Sequence, residues 1–206
     1  MRVGMVVDNE YSNDVRVTKE VELLKKRHEV FVLCFDFGSA EDNSPYIDRV
    51  RINMKLKDLL YGTMVRIPIY EWLWTSWIKK FIKKHKIEVV HTHDLYMSKA
   101  AYKATSKFNI PLILDLHENY PVAVNSYNWT KSPFKKIISD TKSWFILEKE
   151  YLRYPDKIIV LSDYFKNQLL AKYNFLKQEN IFEFENVIDF DFFDQLEIKD
   201  IEYSLL

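Results

Sequence analysis

Apolar runs of four to seven residues alternate with amphipathic stretches from the first residue onward. Residues 3–7 form such a run and lead into the polar stretch 8–13. A helix capped at Asn13 or Asp14 follows, with Val15, Val17, Val21, Leu23 and Leu24 as its apolar side and Lys25, Lys26, Arg27 and His28 complementing the dipole at its end. Residues 30–35 read as the next strand, so the chain opens with a βαβ unit. A loop with Gly38, Asn43, Ser44 and Pro45 precedes a short strand over 49–53. The stretch 63–84 predicts a long helix bent at Pro68, carrying Trp72, Leu73, Trp74, Trp77, Ile78, Phe81 and Ile82.

Residues 88–121 are the centre of the pattern. The β-branched run at 88–90 ends in His91, Thr92, His93 and Asp94, a helix is expected over 95–107, and the buried-type run 112–114 ends in Asp115, Leu116, His117, Glu118 and Asn119. Ligands of open α/β sheets bind outside the carboxyl ends of the strands, so polar residues bunched at two such ends mark a site. A polar and aromatic loop over 122–131 follows. Then comes a helix over 133–153 with Phe134, Ile137, Ile138, Thr141, Phe145, Glu148 and Leu152 at helical spacing. A strand over 157–161, a helix capped by Ser162 and running to 172, and a last strand over 181–184 complete the pattern. The expected fold is one three-layer α/β domain, doubly wound around a mainly parallel sheet of about seven strands.

Composition narrows the function. Lys plus Arg and Asp plus Glu both number 30, so the formal charge is zero and non-specific nucleic-acid binding is not the expected activity. The single cysteine, Cys34, permits no internal disulfide and reads as a small buried hydrophobe of a reduced compartment. The first apolar run meets Asp8 too soon for a signal peptide, so a cytoplasmic location is expected. With three glycines in 206 residues, neither a G-x-G-x-x-G turn nor a Walker A loop is present. The tryptophans and lysines of 72–86 admit two readings, a surface touching anionic lipid at the inner face of a membrane or a helix covering the core. Base rates favour the second.

His91 and His93 are two apart, so they share one face of a strand. With Asp94, Asp115, His117 and Glu118 they supply enough nitrogen and oxygen donors for a divalent metal, which a hydrolase could use through His91, His93, Asp115 and His117. The H-x-H-x-D-H and H-E-x-x-H spacings of hydrolases are missing, however. On the residues alone, His117 is as readily a structural histidine as a functional one. Asp115 either orients it or ends the strand, Glu118 meets a ligand hydroxyl or caps the next segment, and Arg16 is either solvated or an anion contact.

Four segments taken in order resemble the amino-terminal half of a family 4 glycosyltransferase of the GT-B fold. These are Asn13-Asp14-Val15-Arg16-Val17 with Lys19-Glu20 and His28-Glu29-Val30; His91-Thr92-His93-Asp94-Leu95; Asp115-Leu116-His117-Glu118 with Tyr120-Pro121; and 156–162 followed by 185–189 and Phe193. The resemblance covers nearly the whole chain. It implies a Rossmann-like domain over 1–186 that binds the acceptor, and a linker-like tail over 187–206 leading towards a carboxy-terminal donor domain that the chain lacks. It also implies a catalytic His117, acceptor contacts from His93, Asp94, Asp115, Glu118 and Asn119, and donor-side positions at Asn9, Arg16 and Asn186, with no metal and no cofactor. The implied activity is hexosyl transfer from a nucleotide-sugar to a glycan or glycolipid of surface polysaccharide or another glycoconjugate. The family's donor-binding glutamate pair and Gly-Gly turn have no counterpart here, since Asp8-Asn9-Glu10 stands after the first strand. The chain alone is therefore expected to be inactive and to self-associate or bind a partner. A metal-dependent hydrolase and a non-catalytic partner subunit are the alternatives.

Overall fold

The computed structural model describes residues 1–38, 44–57, 68–123 and 141–185. Seven strands form one sheet: β1 (Arg2–Val6), β2 (Glu29–Asp36), β3 (Ile47–Arg51), β4 (Val89–His93), β5 (Leu112–Leu116), β6 (Lys157–Val160) and β7 (Ile181–Glu183). Their order is β3-β2-β1-β4-β5-β6-β7 and every neighbouring pair is parallel. The chain winds outward from β1 to β3, crosses back, and winds outward again from β4 to β7. The reversal falls between β1 and β4, where the connections leave in opposite directions and open a crevice at the carboxyl ends.

Among the described residues the helices include α1 (Val15–Lys25), α2 (Ile69–His85), α3 (Ser98–Thr105), α4 (Tyr120–Ala123), α5 (Thr141–Tyr151) and α6 (Asp163–Lys172). Asp14, not Asn13, caps α1, its side chain accepting from the Val17 amide at 3.1 Å, while Asn13 donates to Glu10. Ser162 caps α6. The buried stripe of α1 is Arg16, Val17, Glu20 and Val21. Val15 and Leu23 are exposed, because they lie about 200° around the helix from Val17 and Val21 respectively.

Pro68 stands at the amino-terminal end of α2, and the expected start at 63 lies outside the described residues. Tyr70, Trp74, Ile78, Phe81 and Ile82 of α2 pack into one core layer with Phe31, Leu33, Phe35, Val90 and Leu112. Of its tryptophans Trp74 is buried, Trp77 is half-buried and Trp72 is 68% exposed. Gly4 lets this helix close on β1, since a Cβ there would lie 2.8 Å from Phe81 and 2.9 Å from Ile87. No helix among the described residues is long and apolar enough to cross a membrane.

Several boundaries differ from expectation. β3 begins two residues early, at Ile47, where pairing with Val32 starts. The helix expected over 95–107 is split into a 3-10 turn, Leu95–Met97, and α3, because Asp94 adopts φ 69° and redirects the chain. α5 is described only from Thr141, and it turns Trp144 inward against Tyr120 and leaves Phe145 partly exposed. Part of the loop expected over 122–131 is the short α4, and the rest lies outside the described residues, as do 186–206 with the expected tail.

Candidate functional site

The parallel register sets His93 of β4 beside Asp115 of β5 at the carboxyl edge of the sheet. Strand alternation turns Val89, His91 and His93 to one face together, the face covered by Val17 and Val21 of α1. Asp115 shares that face, so three polar side chains occupy positions where the layer is otherwise apolar. α1 meets them with Arg16 and Glu20.

The Arg16 guanidinium donates to both Asp115 oxygens, at 2.9 and 3.0 Å, and to the Phe184 carbonyl at 3.2 Å. Its Nε lies 3.1 Å from Glu20 Oε1, but off the line of a hydrogen bond. Arg16, expected on the donor side, is thus only 7% exposed and committed to a buried carboxylate. The burial has a physical cause. Position 16 falls on the stripe that α1 turns to the sheet, and an interior carboxylate demands a cation.

His117 stands just past β5 with its side chain 20% exposed. Its Nε2 is 2.9 Å from Nδ1 of His93, which is fully buried, and 3.8 Å from Asp115 Oδ2. One ring must donate and the other accept. Burial pushes His93 well below its ordinary value, helped by His91 and His117. Burial also lowers His117, against the pull of Asp115. Burial alone would raise Asp115, but His91, His93 and His117 hold it below the usual carboxylate range. Glu20 is pushed up to about 9 by burial and by the Asp115 carboxylate. The chemistry available at the crevice is therefore that of a neutral imidazole, held from behind, which can orient a hydroxyl or take its proton.

A second group borders His117. The Tyr96 hydroxyl lies 2.9 Å from Asp8 Oδ1 and 3.1 Å from Asp94 Oδ2, and Tyr70 donates to Asp8 Oδ2 at 2.6 Å. Asp94, His93, His117 and the loop after β1 thus share one edge of the sheet. Loss of hydration and the neighbouring Asp8 raise Asp94 well above the usual carboxylate range, against the Tyr96 hydrogen bond. Its positive φ is a sparsely populated conformation for a non-glycine residue and costs about 1–3 kcal/mol. Such strain sits preferentially where a side chain must be aimed.

Glu118 is half-buried at the same edge, and the Asn119 carbonyl accepts from Val122 and Ala123 to start α4. The Asn9 carbonyl accepts from the Phe35 amide, so its backbone ties the loop to β2. Asn186 lies outside the described residues.

Glu20, His91, His93 and Asp115 offer ligand atoms that all lie within 4.8 Å of one another. The set differs from the expected one: Glu20 replaces His117, whose Nε2 is engaged with His93 Nδ1. All four are buried. Glu20 carried one signal in the sequence. Arg16 and Glu20 are four apart and flank Val17 and Val21, so an ion pair lay within the apolar stripe.

Comparison with known proteins follows the same lines. The solved structure of the lipopolysaccharide outer core galactosyltransferase WaaB in its apo form superposes with a TM-score of 0.57 and 13% identity, over 91% of this chain and 46% of that one. Sucrose-phosphate synthase from Thermosynechococcus elongatus gives 0.60 and 14% identity, over 90% of this chain and 48% of that one. At such identities the likeness shows the fold alone, that of GT-B glycosyltransferases. The chain spans about half the length of these solved relatives. A cytochrome P450 monooxygenase, iliC, of Hypocrea jecorina (strain QM6a) is 30% identical over 82 residues, which is 38% of this chain and 18% of that protein. So short a stretch carries no functional argument. The pattern of Glycosyltransferase Family 4 matches residues 16–192, which include every strand from β2 to β7 with His93, Asp94, Asp115 and His117, and the chain belongs to that family.

Proposed function

We propose that the chain is the acceptor-side domain of a glycosyltransferase that moves a hexosyl group from a nucleotide-sugar to a glycan or glycolipid acceptor. The observation that carries this reading is the 2.9 Å contact between His117 and buried His93 at the topological switch point of a family 4 domain. His117 is assigned to the reacting centre, where its neutral ring orients the attacking hydroxyl. Asp94, with Glu118 and Asn119, is assigned to the acceptor's other hydroxyls. His93 and Asp115 act from behind, as positioning residues that fix the ring of His117.

The donor is assigned to a second domain or partner chain across the crevice. Catalysis of glycosyl transfer needs both substrates in near-attack geometry and stabilisation of the departing diphosphate. Arg16 is engaged with Asp115 and is not assigned to the donor phosphates.

A glycan array tests the acceptor assignment directly. The purified chain is expected to retain a defined subset of glycans, and Asp94→Asn or His117→Ala should weaken that retention at least tenfold, roughly 1.4 kcal/mol. Binding to no glycan, or binding indifferent to both substitutions, would refute acceptor recognition at this edge.

A further inference from the structure

Behind His117 several buried nitrogen and oxygen atoms face one another outside hydrogen-bond geometry. Glu20 Oε1 and Oε2, His91 Nε2 and His93 Nε2 are all buried, and none has a hydrogen-bond partner. Both imidazole nitrogens lie 3.8 Å from Glu20 Oε2, and His91 Nε2 lies 3.8 Å from Asp115 Oδ2. Buried polar atoms are rarely left without a partner, so a cluster of them implies an occupant.

We propose that Glu20, His91, His93 and Asp115 bind one first-row divalent transition-metal ion of the Zn2+ type, enclosed within the domain. Two imidazole nitrogens and two carboxylate oxygens form a mixed donor set of the kind zinc accepts, whereas calcium and magnesium take oxygen alone. Tetrahedral bonds of about 2.0–2.2 Å set neighbouring ligand atoms roughly 3.4 Å apart, so the 3.8 Å separations close by about 0.4 Å and the widest, within 4.8 Å, by up to about 1.4 Å. Three separate elements, α1, β4 and β5, supply the ligands. A buried water could fill the same space, and a metal titration separates it from an ion.

Arg16 is compatible with the ion. As ligands both carboxylates are ionised, and together they set two negative charges against its one positive charge. The guanidinium holds Asp115 in place through Nη2, as an outer partner of a ligating carboxylate does. His93 has the matching arrangement. Coordination through Nε2 places its proton on Nδ1, which then donates to His117 Nε2. The ion would therefore fix the tautomer of the histidine at the crevice, but its binding does not depend on the glycosyl-transfer reading.

Cobalt is the probe, since tetrahedral Co2+ absorbs in the visible. The 206-residue chain, freed of metal with a chelator, is titrated with Co2+ and then with Zn2+, and its melting temperature is followed. The expected result is a d–d band saturating at about one ion per chain, displaced by Zn2+, with a melting temperature that rises on binding. Glu20→Gln and His91→Asn should each weaken Co2+ binding at least tenfold while circular dichroism stays unchanged, and His117→Asn should keep the band. A folded chain indifferent to both ions, as expected if only water or a shared proton fills the cluster, overturns the proposal. So does binding that survives Glu20→Gln and His91→Asn, or that is lost with His117 instead.

Discussion

Single residues in this fold are held by demands that neighbouring side chains impose. Gly4 is the clearest case, because Phe81 and Ile87 occupy the space a methyl group would need. Gly4→Ala is expected to destabilise the chain by about 1–3 kcal/mol, as overpacking does, and urea denaturation with an unchanged m-value would show it. Lys86 presents the opposite situation. It ends α2 in the left-handed conformation, with φ 53°, and is exposed, so its side chain contributes little there while its Cβ strains the backbone. Lys86→Gly should therefore stabilise by roughly 0.5–1 kcal/mol, read as a higher denaturation midpoint. Asp94 is also held at positive φ, but two tyrosine-linked carboxylates depend on its direction.

At the scale of elements, the sequence showed where strands end more clearly than what stands behind them. His93, Asp94, Asp115, His117 and Glu118 were legible because polar residues bunched after β-branched runs are the local signature of a carboxyl edge. For Glu20 the one signal, its spacing from Arg16 on the apolar stripe, did not point to the site. An Arg and a Glu four apart on a helix normally form a solvated pair, and only contacts with His91, His93 and Asp115, far away in the chain, bury this one. The offset of α5 was hidden for the same reason. Trp144 and Phe145 are adjacent and both aromatic, and the contact of Trp144 with Tyr120 selects the inward one.

Arg16 carries the energetic consequence of that burial. Arg16→Met keeps the volume and removes the charge, leaving Asp115 in the interior beside Glu20, and about 3–5 kcal/mol of destabilisation is expected in chemical denaturation. An Asp14→Ala substitution at the cap of the same helix should cost only about 1 kcal/mol. A ratio near one would contradict the buried pair. For α2 the arrangement favours core covering over lipid contact, since Trp74 is buried, Trp77 half-buried and only Trp72 fully displayed. We expect no co-sedimentation with anionic liposomes. Sedimentation that is lost on Lys79→Glu with Lys83→Glu would establish the membrane reading instead.

For the molecule as a whole the issue is how much of a transferase these residues make. The polar edge around His117 is assembled, and the chain spans about half the length of the solved relatives. The sheet face beyond α1 is also partly open. A largely apolar hollow of about 240 Å³ is lined by Leu23, Leu24, Val89, Ile113, Ile159 and Phe184, and Phe182 beside it on β7 is 49% exposed. Apolar surface of this kind favours association, with a second copy or with the chain that carries the donor side. The 206-residue chain by itself is therefore expected to show no turnover against a panel of nucleotide-sugars and acceptors. Size-exclusion chromatography with light scattering should find it larger than a monomer, and Phe182→Glu with Phe184→Glu should return it towards one. Sugar transfer by the isolated chain that disappears with His117→Ala would prove this single domain a complete enzyme and overturn the division of labour. A monomer without turnover would keep that division and remove the open face as its means of assembly.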